Sequence, residues 1–414
     1  MAKYGLCGER LSHSYSEMIH KLLGDGDYRL LSMTKEEFYD FMKCREFYAV
    51  NVTIPYKTDA LKLCDIVSEE AKEIGSVNTV VNRGGVLHGY NTDITGFRFM
   101  LRRSGIELCG KKVIILGTGG TSLTAVSACR MENARETVIV SRSGKVNYEN
   151  VFEHCDSEII INTTPVGMFP GNGRAPLDIS RFPKLEGAAD VIYNPKRTRL
   201  LLDAEKAGIK TAGGLSMLVA QAVEADRLFF DREKDEQREG ETVEKIISKI
   251  DSDVCNIVLV GMPGCGKSTV GRILAEKLRR RFIDADDYIC EKCGRTPADI
   301  ISNDGEAVFR RIESEALEEI TKLSATVIAC GGGAVIKESN RELMRQNGVC
   351  VYIMRDLSKL DTNGRPLSAG GSDRLLKLFG EREPLYCAAA DFKVDLEENA
   401  EACADKIAEI CIAG

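Results

Sequence analysis

Short apolar runs rich in β-branched residues recur along this chain, and stretches with helical spacing separate them. From Val113 onward the runs are Val113–Leu116, Thr137–Val140, Glu158–Asn162 and Ala189–Tyr193. Runs this short, alternating with amphipathic segments, predict a parallel sheet covered by helices. Residues 1–100 also mix strands and helices, with Val50–Ile54 the strongest strand, and Thr211–Gln221 reads as a turn opening a helix. The pattern then breaks. From Asp231 to Glu241 every residue except Gln237 and Gly240 is charged, so this stretch is a solvated linker or a helix face. Thr242–Ile250 reads as a short helix. A second series follows: strand Asn256–Val260, helix Lys267–Arg280, strand Arg281–Ile283, and strands Val327–Cys330 and Val349–Ile353. Val270, Ile273, Leu274 and Leu278 give that helix one apolar face. The motifs of the two halves differ, so no internal repeat is expected.

Two strands run directly into glycine-rich loops of different design. Gly117-Thr118-Gly119-Gly120 follows Val113–Leu116, and Gly261-Met262-Pro263-Gly264-Cys265-Gly266-Lys267-Ser268 follows Ile257–Val260. The second is GxxxxGK[ST] between a strand and a helix. Its backbone N–H groups wrap phosphates, Lys267 reaches the β- and γ-phosphates, and the Ser268 hydroxyl ligates Mg²⁺. Gly264, Cys265, Gly266 and Thr269 complete the expected ATP-binding set. The first loop departs from G-x-G-x-x-G, because Ser122 stands at the third glycine. The end of the next strand selects its cofactor. An NAD site wants an acid there, whereas Val138–Ser143 carries Arg142 between Ser141 and Ser143. A cation between hydroxyls suits a 2′-phosphate, so NADP is expected.

Composition narrows the partners. A chain of 414 residues suits two to three domains. The net charge of −7 offers no basic field for nucleic acid. No apolar run approaches the ~20 residues of a membrane span, and Met1–Gly8 has no export-signal core. Fifteen scattered cysteines without such a signal suggest reduced thiols and a cytoplasmic location. Cys290 and Cys293 form a lone CxxC, read as coincidence rather than a zinc or redox site.

Local clusters carry the remaining chemistry. Asp284 and Asp286 alternate, so they are expected on one strand face, where carboxylates can support a magnesium ion and accept a proton. Arg310 and Glu313 are spaced to pair on a helix. Gly331–Gly333 allow close backbone approach to a small ligand. Arg365 and Arg382 sit beside prolines in loop or helix-start contexts, where ligand-reaching arginines often occur. In the first half, Lys57 lies just past a strand, Asp93 ends a turn-rich segment, and Ser14 and Ser16 alternate after His13.

Residues 253–414 resemble shikimate kinase. The D-x-D pair, G-E-x-x-F-R-x-x-E (Gly305 to Glu313), the three glycines, R-P-L (Arg365 to Leu367) and R-x-P-L-Y (Arg382 to Tyr386) stand in that family's order. The resemblance implies that Asp286 contacts the acceptor hydroxyls and takes the proton. It implies that Arg310 and Arg382 hold the acceptor carboxylate, that Gly332 and Gly333 line its ring, and that Arg365 belongs to a lid. The segment from Arg355 to Gly364 is short and lacks the arginine often found before R-P-L.

Residues 4–230 resemble shikimate dehydrogenase, through H-S-x-S, N-V-T-x-P-x-K (Asn51 to Lys57), G-x-V-N-T (Gly75 to Thr79) and N-T-D (Asn91 to Asp93). Asn162–Met168, Tyr193-Asn194-Pro195 and Met217–Gln221 continue the series. This resemblance implies Lys57 and Asp93 as the catalytic pair, with Ser14, Ser16, Thr53, Asn78, Asp93 and Gln221 on the substrate. Gly117, Thr118, Gly119, Gly120, Thr121, Ser141, Arg142, Tyr193 and Gly214 would hold NADP(H). Glu17, Thr118, Thr121, Ser141 and Ser143 depart from the residues usual in that family.

The expected fold class is α/β: an N-terminal α/β substrate domain (1–93 plus 211–230) and a Rossmann-like NADP domain (94–210). A charged linker (231–252) and a P-loop small-molecule kinase with a parallel sheet (253–414) follow. The expected activities are NADPH-dependent reduction of 3-dehydroshikimate to shikimate and phosphorylation of shikimate by MgATP. Two alternatives stay open. One is a quinate/shikimate dehydrogenase using NAD, which Arg142 opposes. The other makes the P-loop half a regulatory nucleotide-binding module, which Lys267, Ser268, Asp286, Arg310 and Arg382 oppose.

Overall fold

The computed structural model describes residues 3–11, 15–24, 26–360, 371–397 and 399–413. They form two compact units, Met1–Met168 with Arg174–Ile247, and Phe169–Gly173 with Ser248–Gly414. Among the described residues no helix is long and apolar enough to cross a membrane.

The first unit holds two sheets. One contains β1 (Tyr4–Gly8), β2 (Tyr28–Ser32), β3 (Ala49–Val52), β4 (Ile66–Val67), β5 (Thr79–Arg83) and β6 (Val86–Tyr90), in the order β2-β1-β3-β5-β6-β4. It is mixed: β3–β5 and β5–β6 are antiparallel, the other pairs parallel. The other contains β7 (Lys112–Leu116), β8 (Glu136–Val140), β9 (Ile159–Asn162), β10 (Gly187–Asp190) and β11 (Lys210–Gly213), all parallel, ordered β11-β10-β9-β7-β8. Strand periodicity splits β7 between two cores. Val113 and Ile115 pack on one face, Ile114 and Leu116 on the other, which is why this run reads as continuously apolar. Two helices, Asp93–Arg103 and Gly214–Phe229, pack side by side. Gly96 permits this approach: a Cβ there would sit 2.4 Å from the Met217 carbonyl oxygen.

The second unit holds β12 (Asn256–Val260), β13 (Arg281–Asp284), β14 (Thr326–Ala329), β15 (Gly348–Met354) and β16 (Phe392–Asp395), all parallel, ordered β13-β14-β12-β15-β16. Central β12 buries Ile257 to Val260 completely.

Three elements differ from the sequence reading. Thr211 is not in a turn but in β11, which exists by pairing with β10 and not by any apolar run of its own. β10 begins at Gly187, two residues before the predicted run, and ends at Asp190. Its small residues let neighbours close in, since a Cβ on Gly187 would lie 2.9 Å from Ile159 Cδ1. Asp190 is buried, and burial pushes its carboxyl up to about 7. Asn162, Thr198 and the Ile192 N–H donate to it. Finally, the second half of the charged run and the short helix after it form one helix, Glu236–Val254. Val243, Ile246, Ile247 and Ile250 are its buried stripe at helical spacing, and the charges occupy the other faces.

Candidate functional sites

A cavity of about 430 Å³ opens beyond the carboxyl ends of β1 and β3. Lys57 begins the helix Lys57–Leu63, and Asp93 begins the helix Asp93–Arg103. Their side chains meet there, with Lys57 Nζ 2.6 Å from Asp93 Oδ2. The other carboxylate oxygen accepts from Asn78 Nδ2 at 2.9 Å. Asp93 also stands in the first turn of its helix. Behind the pair runs a buried polar chain. Tyr28 OH donates to Asn51 Oδ1 (2.8 Å), and Asn51 Nδ2 donates to Thr79 Oγ1 (3.1 Å). Asn78 Oδ1 accepts from the Thr92 N–H at 2.7 Å, and Thr92 Oγ1 donates to Gln221 Oε1 at 3.3 Å. Satisfied networks of this kind fix side-chain orientation. Ser16, Thr53 and Gln221 line the same cavity.

The other sheet closes the cavity with Thr121, Tyr193 and Gly214. β7 lies between β8 and β9, where the chain order reverses, and ligands of open α/β sheets bind at such a point. In the loop after β7 the glycines have separate tasks. Gly117 has φ +109°, and a Cβ there would lie 2.9 Å from Thr163 Oγ1. Gly119 and Gly120 face open space, leaving their backbone accessible. Ser122, in place of a third glycine, donates to the Gly119 carbonyl at 2.6 Å and tightens the start of helix Gly120–Met131. Arg142 is exposed at the carboxyl end of β8. Gly214 also lies against the backbone: a Cβ there would sit 2.1 Å from the Val191 carbonyl oxygen.

A second cavity, of about 400 Å³, lies beyond β12. Gly261, Gly264 and Gly266 carry φ of +148°, +78° and +101°, as the loop requires. Lys267 Nζ donates to the carbonyls of Gly261 (3.0 Å) and Met262 (2.9 Å). Ser268 Oγ donates to Asp284 Oδ2 at 2.5 Å. Asp284 and Asp286 do not share a strand face. β13 ends at Asp284, whose Oδ1 accepts from the Asp286 N–H at 3.0 Å and caps the helix Ala285–Cys293. Arg310 is buried and bridged to Glu313 (2.8 Å) and Glu306 (2.9 Å). Burial pushes the Glu313 carboxyl up, although Arg310 opposes this.

The three glycines make the convergence possible. A Cβ on Gly331 would lie 3.0 Å from Asp286 Oδ1 and Glu313 Oε1. On Gly332 it would lie 2.6 Å from the Pro263 ring, and on Gly333 2.3 Å from both Arg310 Nη atoms. Tyr386 donates to the Gly332 carbonyl at 2.5 Å. Arg382 and Pro384 are not at a helix start but inside the helix Gly371–Ala389.

Comparison with known proteins agrees with both geometries. A shikimate dehydrogenase (NADP(+)) of Clostridium perfringens is 34% identical over 267 residues, covering 59% of this chain and 98% of that protein. The chain belongs to the shikimate dehydrogenase family. The profile of the shikimate dehydrogenase substrate binding domain matches residues 6–80, and that of shikimate kinase matches residues 263–411. Shikimate dehydrogenase 1 of Peptoclostridium difficile superposes with TM-score 0.55 at 34% identity, over 60% of this chain and 98% of that one. A Thermus thermophilus shikimate 5-dehydrogenase solved with NADP(H) and shikimate gives 0.52 at 31%, over 59% and 100%. The protein thus joins shikimate dehydrogenase and shikimate kinase, two activities of aromatic amino acid biosynthesis.

Around the dehydrogenase cavity gather Ser16, Thr53, Lys57, Asn78, Asp93, Thr121, Tyr193, Gly214 and Gln221. Gly117, Thr118, Gly119, Gly120, Ser141 and Arg142 lie outside its lining, at the ends of β7 and β8. The kinase cavity gathers Lys267, Ser268, Asp284, Asp286, Arg310, Gly332, Gly333 and Arg382; Gly264, Cys265 and Gly266 in the loop and Thr269 in the helix Lys267–Leu278 lie outside its lining. Ser14 and Arg365 fall outside the described residues. Thr79, Thr92 and Tyr386 stand within the motifs quoted from the sequence but were given no role there; their hydrogen bonds come from tertiary packing.

Proposed function

We propose that the first cavity reduces 3-dehydroshikimate to shikimate with NADPH, and that the second transfers the γ-phosphoryl group of MgATP to shikimate. The Lys57–Asp93 pair inside a cavity closed by the second sheet carries the first half of this reading. NADPH, when bound, supplies the hydride. Lys57 donates the proton to the carbonyl oxygen, while Asp93 holds the ammonium in place and Asn78 holds Asp93. Gly119 and Gly120 leave room for the pyrophosphate, and Arg142 suits the 2′-phosphate.

In the kinase, Asp286 accepts the proton of the attacking hydroxyl, and Arg310 with Arg382 hold the acceptor carboxylate. Ser268 and Asp284 offer hard oxygen donors next to the phosphate loop and would hold Mg²⁺. That ion, when bound, would neutralise charge on the phosphates. Incubation with 3-dehydroshikimate, NADPH and MgATP should accumulate shikimate 3-phosphate by mass. Shikimate alone as the end product would overturn the kinase half.

Two substitutions test residue roles. Arg142→Ala should raise KM for NADPH far more than for NADH; equal effects would remove the 2′-phosphate assignment and favour the NAD alternative. Gly333→Ala places a methyl group against the Arg310 guanidinium, which must shift from the position in which it is bridged to Glu313. The expected result is a rise in kinase KM for shikimate of roughly ten- to hundredfold, with dehydrogenase kinetics unchanged. An unaltered KM would mean that Arg310 does not hold the acceptor.

A further inference from the structure

We propose that Asp190 is a positioning residue for the dehydrogenase cofactor. It ties the loop after β9, which adjoins the glycine loop after β7, to the loop after β10, which carries Tyr193; this rests on the NADP(H) reading of the glycine loop. Asn162 stands opposite Asp190 at the carboxyl ends of β9 and β10, and both residues are fully buried. Asp190 Oδ1 accepts from the Ile192 N–H at 3.1 Å, and Oδ2 accepts from the Thr198 hydroxyl at 2.7 Å. Asn162 Nδ2 donates to both oxygens, at 3.1 Å each. These donors are all neutral. Burying a carboxylate among neutral groups costs stability that an uncharged residue would not. What the acid offers in return is an acceptor on both sides at once.

From Asn162 the order passes outward. Its Oδ1 accepts from the Thr164 N–H at 3.0 Å and from Thr164 Oγ1 at 2.7 Å, and its Nδ2 also donates to the Val166 carbonyl at 3.2 Å. Thr164 Oγ1 accepts from the Val166 N–H at 3.2 Å. A Cβ on Gly117 would lie 2.9 Å from Thr163 Oγ1 and 3.0 Å from Thr164 Cγ2, so this loop walls the glycine loop. On the other side, the Ile192 carbonyl accepts from the Gly214 N–H at 3.1 Å, and Val191, Tyr193 and Gly214 line the first cavity. An amide cannot replace the acid. Whichever way the side chain of Asp190→Asn turned, its NH₂ would face the NH₂ of Asn162. Turning Asn162 over would set its NH₂ against the Thr164 N–H. The mismatch therefore emerges beside the glycine loop.

Calorimetric titration of the full-length chain with NADPH reads the effect without turnover. Asp190→Asn should weaken NADPH binding by roughly ten- to hundredfold. Turnover at saturating cofactor, KM for shikimate and the thermal midpoint should stay near wild type, since a buried charge leaves together with the bonds it accepts. Asn162→Ala should weaken NADPH binding similarly, and the double variant no more than either single one, because both act through one network. Thr164→Val cuts the same network at its half-buried end, where folding is least at stake, and should also weaken NADPH binding. Unchanged NADPH affinity in Asp190→Asn or Thr164→Val, or additive losses in the double variant, would overturn the proposal. So would a lowered midpoint with equal losses of NADPH and shikimate affinity, which marks a purely structural role. Failure of the wild-type chain to bind NADPH would instead strike the cofactor reading itself.

Discussion

Replacing Lys57 with methionine is expected to lower dehydrogenase turnover by roughly 10²- to 10⁴-fold and to leave phosphorylation of added shikimate untouched. Methionine keeps the length and apolar bulk of the lysine stem but carries no proton. The lysine side chain is 16% exposed and that of Asp93 10%, so little water is at hand to replace the ammonium. Asp93 would retain only Asn78 among its two partners. Ground-state binding depends on other groups of the lining, so the loss should fall on kcat and less on KM. Asp93→Asn should act in the same direction, since the ammonium loses the group that orients it. An unchanged KM for NADPH reports that the unit carrying the substitution is folded. Turnover within about threefold of wild type would exclude Lys57 as the proton donor, because general acid catalysis is worth far more than that.

Most of this dehydrogenase site was legible because its parts sit at element junctions that leave a mark in sequence. Lys57 follows an apolar strand, Asp93 opens a helix, and the glycine loop follows β7. Unreadable were the contacts made by tertiary closure. Nothing local says that Gly214 must clear the Val191 carbonyl or that Gly96 must admit Met217. Nor does sequence join Asn78, Thr92 and Gln221, which lie up to 143 positions apart yet share hydrogen bonds. β11 was missed for the same reason, since its strand character comes from pairing with β10 and not from its residues.

In the kinase the alternation of Asp284 and Asp286 misled. An Asp at the end of a short strand, followed by helix-compatible residues, is a helix N-cap, and that signal was present. Capping turns the chain between the two carboxylates and gives them different surroundings. The Pro384 position misled likewise. A proline two residues past Arg382 suggested a helix start, but the helix runs through it to Ala389. Arg310 and Glu313 were readable, because i,i+3 spacing places their side chains on one face. Their burial was not, since it comes from Gly331 and Gly333 packing over them.

This separation of the two carboxylates sets up the second large effect. Asp286→Asn should lower phosphoryl transfer by roughly 10²- to 10⁴-fold while ATP binding and the dehydrogenase reaction stay at wild-type levels. Asp284 is engaged on both oxygens, by Ser268 Oγ and by the Asp286 N–H, so it is poorly placed to accept a proton. Asp286 instead lines the cavity beside the acceptor arginines, with Oδ1 close to Gly331. Asparagine preserves its shape and cannot take up the hydroxyl proton. Asp284→Asn should give a different phenotype: a higher magnesium requirement, with stability lowered by ~1 kcal/mol if the cap weakens. Single-turnover transfer with saturating MgATP separates the two. If the Asp286 variant still transferred phosphate at a wild-type rate, the base would have to lie elsewhere. If both variants lost only magnesium affinity, the carboxylates would share one task despite their different surroundings.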